Sequence, residues 1–173
     1  MSGLFTIPIS GLKEGRHCYD FEINKKFFDQ FEESEIKEGS LTAVVEAEKL
    51  TTHIDLTFRI EGSVNISCDR CLGVFRQAVS CENRLLVNFG RVSDDNDPDI
   101  ITLPADENEL DLRQYLYEYI ILALPIQRVH PADKSGKSAC DPEMLKKLRE
   151  HIADDEKIND PRWDGLKKLM NNN

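Results

Sequence analysis

Apolar and polar residues alternate with a period of two through most of the first half of the chain, as in strands with one packed face and one wet face. Tyr19, Phe21 and Ile23 alternate with Asp20, Glu22 and Asn24. After Gly39 the alternation is most regular. Leu41 to Leu50 reads as one strand, and Ile54, Leu56, Phe58 and Ile60 against Asp55, Thr57 and Arg59 mark the next, with Thr51-Thr52 near the turn. Glu61-Gly62-Ser63 reads as a further reversal, after which Val64 and Ile66 carry the apolar set into Cys68. Beyond it, Phe75, Val79, Cys81, Leu85, Val87 and Phe89 share one parity, while Arg76, Glu82 and Arg84 take the other. Residues 4–9 form an opening strand in which Pro8, lacking an N–H, favours an edge. Gly11 to Gly15 make a turn, Ile100 to Leu103 a short strand, and Lys25 to Phe31 a helical turn with Phe27, Phe28 and Phe31 on one side.

The period then changes. Leu112, Tyr115, Leu116, Tyr119, Ile120, Ala123 and Leu124 follow helical spacing and predict a helix over 111–124, with Asn108 or Asp111 as N-cap and Pro125 as its end. After Pro125, residues 126–139 show little periodicity. Asp141-Pro142 and Asp160-Pro161 each open a short helix, because aspartate caps and proline suits the first helical position. The expected architecture is α+β: an antiparallel β-meander or partly closed barrel packed by one main helix, with a short helical C-terminal tail. Residues 1–125 make the β-rich domain with its packing helix, and 126–173 the loop and two-helix tail.

Composition sharpens this picture in two respects. With 173 residues, 40% of them hydrophobic and 31% charged, the chain is globular and large enough to bury a core without disulfides. The net charge of −10 is uneven. Residues 1–124 carry 12 basic and 23 acidic side chains, a net −11, whereas residues 125–173 carry 10 and 9, a net +1. The hairpin over 64–91 is locally +2, with Arg70, Arg76, Arg84 and Arg91 against Asp69 and Glu82. Those arginines, with Lys146, Lys147, Arg162, Trp163 and Lys167 of the tail, are candidate contacts for RNA or another partner. An ordinary solvated mixture of charges is the competing reading. Five cysteines, an odd number, do not make a secreted disulfide framework. No secretory signal and no run of apolar residues long enough for a membrane helix is visible, so the expected setting is the cytoplasm.

The chemistry centres on Cys68-Asp69-Arg70-Cys71. Redox Cys-x-x-Cys pairs typically sit where a strand feeds a helix, whereas here strand-like alternation follows, which makes redox the weakest of three readings, behind a metal site and plain structural thiols. His130 and Cys140 would complete a Cys₃His set, a common closed zinc site, although their ten-residue separation fits no standard finger. A structural zinc ion is therefore the candidate cofactor. Cys81 reads as a small buried hydrophobe, and Cys18, His53 and His151 as ordinary surface or turn residues. Gly136-Lys137-Ser138 lacks the earlier glycine of a phosphate-binding loop, since Pro131 stands there. No serine or cysteine has the sequence context of a known nucleophile, and no catalytic residue is assigned.

Gly11-Leu12-Lys13-Glu14-Gly15, Cys68-Asp69-Arg70-Cys71-Leu72, the helix from Leu110 to Pro125, His130 with Cys140, and Asp160-Pro161-Arg162-Trp163-Asp164-Gly165-Leu166 together resemble the YceD family of large ribosomal RNA subunit accumulation proteins. The resemblance implies a bacterial cytoplasmic factor, not an enzyme, that supports 23S rRNA accumulation and large-subunit assembly, with ribosomal RNA or a large-subunit ribosomal protein as partner. Many relatives carry more cysteines after the Leu-Pro than the single Cys140 here. Two other functions stay open: a chaperone for a basic ribosomal protein, and a zinc-dependent enzyme acting on RNA.

Overall fold

A computed structural model of the chain describes residues 5–90, 97, 99–104, 106–132, 136 and 138–151. Its framework is a five-stranded sheet in the order β2-β3-β4-β5-β6, formed by Gly15–Ile23, Glu38–Lys49, His53–Ser67, Val74–Phe89 and Ile100–Leu103. The first four strands are an antiparallel meander, with short turns joining β3 to β4 and β4 to β5 and a longer connection, residues 24–37, between β2 and β3. The fifth joins β5 in parallel, with Leu86 opposite Ile100. A separate two-stranded sheet pairs β1, Thr6–Pro8, with β7, Glu109–Asp111. Among the described residues the large sheet is open, ending at β2 and β6, so no closed barrel forms.

Among the described residues three helices accompany the strands: α1 (Lys25–Phe28), α2 (Arg113–Leu122) and α3 (Pro142–His151). One face of the sheet supplies Leu41, Ala43, Val45, Ile54, Leu56, Phe58, Ile60, Leu85 and Val87 to the core, all buried. Helix α2 covers part of that face with Leu116 and Ile120, and Tyr119 meets Phe58 edge to face at 5.1 Å. Phe27 of α1 sits among Phe5, Phe28 and Phe31, and Phe31 stacks on Tyr117 at 4.1 Å. No helix among the described residues is long and apolar enough to cross a membrane.

Two sequence expectations need correction. Glu61-Gly62-Ser63 does not reverse the chain, because β4 runs unbroken from His53 to Ser67 and Gly62 lies opposite both Leu41 and Val79. The glycine marks close approach instead. At φ +148° an added Cβ would lie 2.3 Å from the Ser40 carbonyl oxygen and 2.6 Å from Leu41 Cα. The helix expected over 111–124 is also shorter, α2 running from Arg113 to Leu122, because pairing with β1 claims Leu110 and Asp111 as strand. Asp111 still serves the helix start, its Oδ1 accepting from the Arg113 N–H at 2.9 Å. The helix expected from Asp160-Pro161 lies outside the described residues.

Candidate metal centre

The turn from Cys68 to Gly73 joins β4 to β5. Cys68 N–H donates to the Gly73 carbonyl at 2.9 Å and Leu72 N–H to the Cys68 carbonyl at 2.9 Å, with Leu72 in the left-handed region at φ 60°. This tight loop turns both thiols to one side. Arg70 N–H points at Cys68 Sγ, 3.4 Å away, a contact that stabilises a thiolate. Gly73 leaves room for an incoming ring, since a Cβ there would lie 3.4 Å from His130 Cε1.

The segment after α2 supplies the other two donors. Asp69 holds it by a reciprocal pair: Asp69 N–H donates to the Arg128 carbonyl, and Arg128 N–H donates to Asp69 Oδ2, both at 2.7 Å. The Arg128 guanidinium pairs with Glu35. His130 then lies over Phe75, with ring centroids 4.8 Å apart. Ala132 and Ser138 pair in an antiparallel bridge, a reversal of direction by which the ten-residue separation closes to 3.7 Å between His130 Nδ1 and Cys140 Sγ. The geometry that the spacing left unexplained comes from this reversal.

Cys68, Cys71, His130 and Cys140 present donor atoms all within 4.8 Å of one another. Cys68 Sγ to Cys140 Sγ is 3.7 Å, and Cys71 Sγ to His130 Nδ1 is 3.4 Å. With zinc–sulfur bonds of about 2.3 Å and zinc–nitrogen bonds of about 2.0–2.1 Å, a tetrahedron has S···S edges of about 3.8 Å and S···N edges of about 3.5 Å. The donor set therefore fits a single zinc ion in both chemistry and size. The three cysteines are buried and the histidine is half-buried.

The electrostatics favour ligation at Cys68. Burial works to raise its pKa, but hydrogen bonds from the Cys71, Arg70 and His130 N–H groups and from the His130 ring outweigh it, bringing the thiol down to about 6 from 9.0. Cys140 goes the other way: the Ser138 hydroxyl favours its thiolate, yet burial and the neighbouring Cys68 and Cys71 sulfurs push the thiol up. Such opposed neighbours share a net negative charge that a divalent cation neutralises.

The remaining cysteines and basic candidates scatter. Cys81 is half-buried, its thiol 3.8 Å from the Tyr119 carbonyl, and Cys18 is exposed. Arg70 is exposed on the metal-centre turn. Arg76, also exposed, donates to Ser63 Oγ at 2.5 Å. Arg84 lies in a groove of about 620 Å³ on the wet face of the sheet, among Glu46, Glu48, Asp55, Glu82 and Asp99. Lys146 and Lys147 are exposed on α3, where Lys146 pairs with Glu150 at 4.0 Å. Arg162, Trp163 and Lys167 lie outside the described residues. Sequence reasoning missed the Asp69–Arg128 and Glu35–Arg128 ties, for which no local pattern exists.

A family model described as Large ribosomal RNA subunit accumulation protein YceD matches residues 56–170, from within β4 onward and across all four donors. No curated protein and no solved structure matches the chain.

Proposed function

The chain belongs to the YceD family, and from that premise we propose that it is a non-catalytic cytoplasmic factor in biogenesis of the large ribosomal subunit, sustaining accumulation of 23S rRNA. The observation that carries the non-catalytic part is the closed donor set. Three thiols and one imidazole converge on one point, so an ion held there has all four positions filled by protein. Cys68, Cys71, His130 and Cys140 would hold zinc, and the ion would supply cross-linking rather than an activated water. An enzyme acting on RNA through zinc needs an open position, which this arrangement does not favour.

The metal then joins the β4–β5 turn to the chain after α2. Helix α3 begins within two residues of Cys140, so the ion fixes the root of the C-terminal segment. That helix contributes no fully buried side chain of its own, and external fastening compensates for a small local core. Arg70 on the turn and Lys146 and Lys147 on α3 extend from this junction and would meet ribosomal RNA or a ribosomal protein.

Depletion of the protein in its parent organism, followed by sucrose-gradient profiling and 23S rRNA quantification, tests the reading. Free large subunits and 23S rRNA should fall relative to small subunits and 16S rRNA. Profiles indifferent to depletion would remove the ribosomal assignment.

A further inference from the structure

A cleft of about 520 Å³ opens beside the C-terminal half of α2, and none of the metal centre's four donor residues lines it. Tyr117, Ile121 and Leu122 form its apolar lining, while Glu33, Glu35 and Glu118 bring carboxylates to it. Among the described residues the one cation lining it, Arg128, is already paired with Glu35. Among the described residues Glu118 accepts only from the neutral Gln114 amide, at 2.7 Å, and Glu33 has no ion pair. Leu122 is 76% exposed, and Ile126, four residues on, is wholly exposed. Val74, 67% exposed, lines an adjoining depression that shares Glu35. Large apolar side chains held out in water beside an excess of carboxylates mark a surface meant to be covered.

We infer that this cleft docks a lysine- or arginine-rich protein segment carrying apolar anchors. Charge complementarity identifies the occupant: aliphatic or aromatic side chains would cover Ile121 and Leu122 while cations meet Glu33 and Glu118. RNA phosphates would face these carboxylates within residues 1–124, whose net charge is −11 (12 basic, 23 acidic). A second copy of this chain would bring the same repulsion. The inference rests on the ribosomal reading for the source of the segment, since a protein that binds rRNA needs clustered cations to neutralise phosphates. Covering such a segment before it reaches RNA prevents it from binding polyanions indiscriminately.

The test is fluorescence anisotropy on the purified full-length chain. The probe is a fluorescein-labelled 16-residue peptide with leucines at helical three–four spacing and lysines between them; the comparators are its glutamate-for-lysine counterpart and a 16-nucleotide single-stranded RNA. The lysine peptide should bind, weakening by about tenfold or more between low and moderate salt as screening removes the attraction. Leu122→Glu, at an exposed position outside the core, should weaken binding by about tenfold, as should the double variant Glu33→Lys with Glu118→Lys. Thermal melts would verify that each variant is folded. Equal binding by wild type and both variants would overturn the assignment, as would RNA binding that Leu122→Glu abolishes. Stronger peptide binding by Trp163→Ala would make the chain's own tail the occupant, and a dimer dissociated by Leu122→Glu would make it a second copy; either result also overturns the proposal. Failure here, with ribosome profiles that still respond to depletion, would remove the cleft assignment and leave the ribosomal reading intact.

Discussion

Zinc ligation at Cys68, Cys71 and Cys140 requires loss of thiol protons, and the fold already biases Cys68 that way. Its thiol titrates at about 6 in the folded protein against an ordinary 9.0. In metal-free protein the Cys68 thiolate therefore adds stability that is complete above pH 9.0 and is lost as pH falls through about 6. The urea midpoint of the metal-free wild type should drop between pH 9 and pH 5.5 by more than that of Cys68→Ser; parallel curves would show that the thiol is not depressed. Removing both turn thiols, with Cys68→Ser and Cys71→Ser, should abolish zinc retention and raise tryptic cleavage after Arg128 and in α3 by about tenfold, because the cross-link is gone. Unchanged metal content and cleavage in that variant would defeat the fastening role. The Cys-x-x-Cys pair was legible in the sequence because its members are local. His130 and Cys140 were legible as donor types, but their proximity was not, since it depends on the Ala132–Ser138 bridge and the Asp69–Arg128 pair.

Elements were legible where burial follows a strict period and illegible where backbone partners decide. Alternation marked β2, β3, β4 and β5 because each buries one face. Gly62 was misread because a glycine flanked by polar residues signals a turn as readily as a close backbone approach. Gly62→Ala should destabilise by about 2–4 kcal/mol, combining a strained φ with overlap on Ser40 and Leu41. An unchanged denaturation midpoint would mean that β3 and β4 can separate there at little cost. Likewise, Leu110 and Asp111 fit the helical pattern, yet β1 takes them for its own ladder. The parallel pairing of β6 had no local signal, because Ile100–Leu103 reads the same in either direction.

At the scale of the whole molecule, charge and cross-linking divide the chain in a way that composition alone only outlined. The acidic majority lies with the meander, and Arg84, read as an RNA contact, sits in an acid-rich groove. Arg70 instead stands on the metal-centre turn, and Lys146 and Lys147 follow Cys140 along the chain on α3. Family membership supplies the ribosomal setting, and the donor cluster supplies a physical reason for the chain around His130 and Cys140 to hold its place. Everything in that account passes through one ion bound by four side chains. X-ray absorption at the zinc edge of the purified full chain tests it most directly. One zinc per chain is predicted, with three sulfurs at about 2.3 Å and one nitrogen at about 2.0–2.1 Å. Absent zinc, or a shell in which oxygen replaces one of the sulfurs, would contradict it.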